Sequence, residues 1–212
     1  GLKYPDLTVP GSMSNISIEN KNNYTNLSYT DKLGRGWYLK SGLAFTIDEK
    51  NMDLQSFLVD ESNKNLQAKI TLKKSFSENA SILFGAEETF NRFNQDYTET
   101  ATTFSNNSNF DDFNSAMYAE GDYRPIAKLA LRAGARGEYS SLLNKSNVGA
   151  RLSAAVKITN SSQISLAYGN FYQTPEEDLL RFTHNLNFEK ADHYIANYQW
   201  EKSNRIFRIE AY

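Results

Sequence analysis

Residues 127–139, AKLALRAGARGEY, alternate strictly between two classes. Ala127, Leu129, Leu131, Ala133, Ala135, Gly137 and Tyr139 take one face, and Lys128, Ala130, Arg132, Gly134, Arg136 and Glu138 take the other. Side chains on a strand repeat every two residues, so this run is extended, with one apolar and one charged face. Its length is well beyond the ~5–6 residues usual for strands of soluble domains. It suits a tilted strand crossing a bilayer, which needs roughly 9–11. Asp111 to Tyr172 as a whole reads as four such strands.

The same pattern recurs along the chain. Trp37, Leu39, Ser41, Leu43, Phe45 and Ile47 oppose Tyr38, Lys40, Gly42, Ala44, Thr46 and Asp48. Leu66, Ala68, Ile70 and Leu72 alternate with Gln67, Lys69, Thr71 and Lys73; Ile82, Phe84 and Ala86 oppose Leu83, Gly85 and Glu87. Tyr194, Ala196, Tyr198 and Trp200 share a face of one closing strand, and Phe207, Ile209 and Ala211 a face of the other. The segments DKLGRG, KSFSEN, YRPIA, KITNSSQ and EKSNR are short connections. Between them fall 48–64, 94–111, 141–146 and 173–190, all longer except 141–146. Alternating short and long connections predict an all-β, antiparallel up-and-down meander of about ten long strands, part of a transmembrane outer-membrane β-barrel.

The domain reading is an irregular lead-in over 1–22, with room for a short strand at Ile16 and Ile18, then one barrel segment over 23–212. Alternation still runs at Ile209–Tyr212, so truncation at the C-terminus is expected. Residues 48–64 read either as one loop or as a loop holding a short strand pair around Leu54–Val59. Residues 94–111 read as a polar loop rich in Thr and Asn.

Composition excludes several classes. Mean hydropathy is -0.61, and no window nears the ~18 apolar residues of a spanning helix. A barrel spends only alternate residues on lipid, so this average leaves a β-barrel open. A net charge of -2 argues against nucleic-acid binding. With no cysteine there is no disulfide, thiolate metal site or cysteine nucleophile. The two histidines, His184 and His193, sit in no catalytic motif, so no catalytic, cofactor or metal residues are expected. Glu176, Glu177 and Asp178 follow Pro175 as an acidic triplet that suits either a calcium contact or, more simply, a solvated turn.

Lys128, Arg132, Arg136, Arg151 and Lys157 share the polar face of neighbouring strands, with Glu120, Asp122 and Glu138 close by. Cross-strand ion pairing is the simplest use of such a face; lining a solute path is the other. Trp37, Tyr123, Tyr139, Tyr172, Tyr198 and Trp200 fall near strand ends, where aromatic girdles meet the membrane interfaces.

Three stretches carry a family likeness: YAEGDYRPIAKLALRAGARGEYS, SLAYGNFYQTPEEDLL and EKADHYIANYQWEKSNRIFRIEAY. They resemble barrel strands of TonB-dependent outer-membrane receptors, in the Asn- and Lys-rich style of the Bacteroidetes. The matching elements are Tyr172 with Pro175, Ala191 with His193 and Tyr194, and Arg208 with Glu210 and Tyr212. The likeness is good over 64–212 and weak over 1–63. It departs from the family in lacking a plug domain and having about half of the twenty-two strands.

The resemblance implies a middle section of a receptor barrel that takes up a scarce solute such as a metal chelate, a vitamin or an oligosaccharide. It implies no catalysis, no cofactor, outer-membrane lipid around the wall, and an energy-coupling partner of the TonB type acting through a plug. A surface lipoprotein is a further implied partner. Outer-loop candidates for ligand contact are Tyr172, Gln173, Glu176, Glu177, Arg181 and His184, with Lys128, Arg132, Arg136 and Arg151 facing the lumen. A soluble all-β ligand-binding module and a small structural outer-membrane barrel remain as alternatives.

Overall fold

The structure is a computed structural model describing residues 2–5, 13–54, 56–102 and 104–212. Eleven strands form one antiparallel sheet in strict chain order: β1 (Leu2–Pro5), β2 (Met13–Gly34), β3 (Trp37–Asp53), β4 (Phe57–Ser75), β5 (Ala80–Glu99), β6 (Ser105–Ile126), β7 (Leu129–Ser140), β8 (Lys145–Thr159), β9 (Ser162–Gln173), β10 (Glu189–Lys202) and β11 (Arg205–Ala211). A single turn of helix, α1 (Glu177–Leu180), lies between β9 and β10. The far edges of β1 and β11 pair with no other strand of the described chain. No helix is long and apolar enough to cross a membrane.

The alternation of residues 127–139 places β7 in register between β6 and β8, so Arg132 faces Asp122 and Arg136 faces Tyr118. Directly paired residues share a face, which sorts the sheet into two sides. On one side lie Leu43, Ile70, Phe84, Met117, Leu152 and Leu166, all at least 44% exposed. The other side carries Lys69, Glu87, Tyr118, Arg132 and Arg136, and the β9–β10 connection packs against it through Phe93 and Phe110. We call these the outer and inner faces.

Only seven apolar side chains are buried among the described residues, Pro175 of the long connection among them, and none lies on the outer face of the central strands. A contiguous apolar face of this extent is not stable against water. Between its aromatic edges, the outer face of β6 runs from Phe113 to Tyr123, eleven residues and one bilayer crossing. Trp37, Tyr123 and Trp200 mark the edge near the tight turns; Tyr139, the Phe90–Phe113 pair and the Tyr168–Tyr194 pair mark the other.

At the tight end the sheet turns through 35–36, 76–79, 127–128, 160–161 and 203–204. Gly36 sits at φ +79°, and a Cβ there would meet the Ser75 carbonyl oxygen at 2.4 Å, so only glycine fits.

Three sequence expectations are corrected at the opposite end. Residues 13–22 are not part of an irregular lead-in but the first half of β2, paired with β3 from Ser17 onward. Residues 48–64 are neither one loop nor a separate strand pair: β3 and β4 simply continue to Asp53 and from Phe57. Residues 94–111 are mostly strand, since β5 runs to Glu99 and β6 starts at Ser105. These hairpins rise above the apolar band with polar residues on both faces and apolar ones, such as Val59, Phe93 and Phe110, only scattered on the inner side, so the period-two signal fades although the backbone pairing continues. Their tips are joined by bonds from Thr100 N to the Ser56 carbonyl and from Glu99 N to the Phe104 carbonyl.

Candidate functional site: the loop-covered inner face

The connection from 174 to 188 is the longest between strands, and it folds back over the inner face. Leu180 is buried with Phe93, Phe110 and Leu143, and Leu142, Leu186 and Phe188 close around them. Phe93 and Phe110 stack at 5.1 Å between centroids, and His184 meets Phe110 edge-on at 5.8 Å. This is an apolar pad on a face otherwise built from polar groups, and it gives the loop a fixed seat.

Polar contacts set its position on that seat. Glu177 accepts hydrogen bonds from the side-chain amides of Asn63 (2.8 Å) and Asn91 (3.3 Å). Arg181 Nη1 donates to Gln95 Oε1 at 2.9 Å, and Gln95 in turn donates to Glu61 at 2.9 Å. The Ser108 hydroxyl donates to the Arg181 carbonyl, while Lys145 Nζ donates to the Leu186 carbonyl at 2.8 Å and to Asn187 Oδ1 at 2.9 Å. The loop thus bridges the tall wall of β4–β6 and the foot of β8.

The expected outer-loop residues divide accordingly. Glu177, Arg181 and His184 converge on the inner face under or within the loop. Glu176 starts α1, its carbonyl accepting from the backbone of Leu179 and Leu180. Gln173 donates to Glu189 across the strand ends at 2.9 Å, and Tyr172 pairs with Lys190 in the ladder. The acidic triplet does not converge: Glu177 turns to the two asparagines and Asp178 to Arg181 at 3.5 Å. Among the described residues no group of three or more His, Asp or Glu could hold a metal ion.

The β7–β8 turn (141–144) is held by a residue that sequence reasoning passed over. Asp112, 3% exposed, accepts from the Ser140 hydroxyl at 2.9 Å, the Leu142 amide at 3.0 Å and the Asn114 amide group at 2.7 Å. Its only sequence signal was an Asp on the inner-face parity of β6.

Below the loop the inner face is paired charge. Arg136 bonds Glu87 at 2.8 Å and also Glu138, while Lys69 shares Glu87. Arg132 bonds Asp122 at 2.6 Å and Glu120 at 3.4 Å. Cross-strand ion pairing therefore accounts for Arg132 and Arg136. Lys69 and Glu87 belong to the same network but depend on register, which the sequence does not display. Lys128 is a correction: it occupies the tight β6–β7 turn, where its carbonyl accepts from Lys157 N, rather than the lumen-facing wall.

No family model matches the sequence, and no curated protein matches it. Solved structures do match the fold. The outer-membrane transporter YddB from Escherichia coli superposes with a TM-score of 0.76 at 14% identity, over 95% of this chain and 34% of that one. The ferric yersiniabactin uptake receptor FyuA from Yersinia pestis gives 0.70 at 14% identity, over 95% and 36%. The copper transporter OprC gives 0.70 at 10% identity, over 90% and 37%. The chain has the fold of an outer-membrane transporter barrel and spans about a third of the length of these proteins.

Proposed function

We propose that this chain is a wall section of a TonB-dependent receptor in the bacterial outer membrane, and that the intact protein takes up a scarce solute. The observation that carries the reading is the pairing of a membrane-length apolar outer face with an inner face seated under a long folded loop. A soluble binding module fits poorly, because seven buried apolar side chains among the described residues are too few to hold a sheet of this size in water. The solved structures with this fold include a ferric yersiniabactin receptor, a copper transporter and an alcaligin receptor, which favours a metal chelate over a vitamin or an oligosaccharide. The Asn- and Lys-rich composition fits a Bacteroidetes receptor. A plug coupled to a TonB-type protein, and a surface lipoprotein above the loop, complete the proposed assembly.

In this reading the tight turns face the periplasm and the 174–188 loop faces outward, closing part of the mouth. Glu177 and Arg181 hold the loop and are the residues an incoming solute would displace. The test is uptake of radiolabelled ferric chelates by cells carrying the full-length protein, with and without the energy-coupling protein. Uptake should need the coupling protein, and the double variant Glu177→Gln, Arg181→Ala should alter the half-saturating concentration several-fold. Uptake that persists undiminished without the coupling protein would refute the assignment.

A further inference from the structure

Two rings of the inner face, Tyr118 and Phe171, cover glycines: Tyr118 covers its ladder partner Gly85 on β5, and Phe171 covers Gly169, two residues back on its own strand. A Cβ at Gly85 would meet the Tyr118 ring at 2.1 Å, and one at Gly169 would meet the Phe171 ring at 2.8 Å. An aromatic ring laid over a glycine in this way covers the backbone that the missing side chain exposes. Each ring also carries a guanidinium: Arg136 lies 5.5 Å from the Tyr118 centroid, and Arg151 lies 4.8 Å from the Phe171 centroid.

The guanidinium partners of the two rings differ in how they are paired. Arg136 is saturated by Glu87 and Glu138. Arg151 has no carboxylate within 4 Å among the described residues. The nearby acids are already engaged, since Glu120 and Asp122 both bond Arg132.

Register keeps Arg151 clear of cross-strand partners. It pairs with Gly134 on β7 and Gly169 on β9, which carry no side chains of their own; Glu120 reaches over Gly134 and the Phe171 ring over Gly169. The result is a cavity of about 230 Å³ lined by Glu120, Arg132, Arg151, Phe171 and His193. His193 meets the Phe171 ring edge-on at 5.0 Å and fixes it from the far side. Lying over the ring, the guanidinium donates to no carboxylate or carbonyl among the described residues, so its N–H groups are free. Edge-on guanidinium donors match a planar two-oxygen acceptor, which is the geometry of a carboxylate.

We propose that Arg151 is an anion-accepting station on the inner wall that binds a carboxylate group of a solute, oriented by Phe171 and His193. This rests on the reading of the inner face as a transport lumen and narrows the solute to one bearing a carboxylate.

The test is calorimetric titration of the full-length protein in detergent at low salt with citrate, using glucose as the uncharged control. Citrate should bind and glucose should not. Arg151→Gln should weaken citrate at least tenfold, Phe171→Leu several-fold, and Arg132→Gln less than twofold. Unchanged citrate affinity in Arg151→Gln overturns the proposal, as does an equal loss in Arg132→Gln. Absence of citrate binding to the wild type, with a lowered melting temperature in Arg151→Gln, also overturns it by placing a carboxylate of the protein itself at the station. None of these readouts involves energy coupling. Failure here therefore leaves the receptor assignment standing, and uptake without the coupling protein would remove that assignment while leaving citrate affinity as measured.

Discussion

Asp112 offers the sharpest test of how the inner face is held together. Its carboxylate is 3% exposed, and Ser140, which donates to it, is fully buried. Further bonds arrive from the Ser141 hydroxyl at 3.3 Å, the Leu142 amide at 3.0 Å and Asn114 at 2.7 Å. Ser140 Oγ accepts in turn from the Leu143 amide at 3.2 Å, so the carboxylate organises the middle of the 141–144 turn, while Ser141 is tied separately to the Phe113 backbone. Asp112→Ala would strand the Ser140 hydroxyl and the Leu142 amide. A buried polar group left without a partner costs about 1–3 kcal/mol, so two such groups bring the loss to roughly 3–4 kcal/mol. The turn can open without the sheet unfolding, so the loss should appear as local opening. Amide hydrogen exchange at Ser141, Leu142 and Leu143 should accelerate about a hundredfold or more, at ~1.4 kcal/mol per factor of ten. Asp112→Asn keeps one acceptor oxygen and should accelerate exchange about tenfold. Because Leu143 is part of the pad under Leu180, protection of the 177–186 segment should fall too. If exchange in Asp112→Ala stays within threefold of wild type at all three amides, the turn is held by something other than this carboxylate.

Two further outcomes bear on the membrane reading and on the tall hairpins. Met117, 73% exposed midway between Phe113 and Tyr123 on the outer face, should tolerate no charge: Met117→Lys should cost about 2–4 kcal/mol in liposome-based denaturant unfolding, whereas a change below ~0.5 kcal/mol would mean that face meets water. Above the apolar band, two hydrogen bonds from Arg92, at 2.8 and 2.7 Å, hold the Asp111 carboxyl below its ordinary value of 3.8. A depressed carboxylate stabilises the folded form above its unfolded pKa, and the contribution is lost as pH falls through the folded value. Exchange at the 93–97 amides should therefore rise below pH 3.8 in wild type and not in Asp111→Asn; identical pH profiles would show that the pair carries no such linkage.

Strands β7, β8 and β9 were legible from sequence because one of their faces meets an apolar medium and the other a charged wall, so every residue declares its side. The upper halves of β3–β6 were not legible for the opposite reason. Glu61 and Asn63 face inward while Asp60 and Ser62 face outward, and all are polar because both sides are wet. The long connection at 173–190 was visible as a break in alternation, but its inward fold depends on Leu180 finding Phe93 and Phe110, contacts some seventy to ninety residues distant along the chain. Arg132 and Arg136 were legible as members of a charged face. Their separation from Arg151, by saturation with acids on β5–β7, came only with register. Lys128 was misplaced because strict alternation continued into a turn, where parity no longer fixes direction.

The unequal heights of the hairpins divide the space above the apolar band. On β5 nine residues separate Phe90 from Glu99, whereas β7 ends at Ser140, one residue past Tyr139. At ~3.3 Å per residue the eight additional residues make about 26 Å of extra strand on one side, close to the thickness of the hydrocarbon core itself. The described wall is thus a screen on β3–β6 beside a low sill at β7–β8, with the 174–188 loop leaning from sill to screen. Under the proposed receptor reading, a solute arriving from the outer side would meet an asymmetric doorway, shielded along the β3–β6 flank and lower across β7–β9, above the row of Gly134, Arg151 and Gly169.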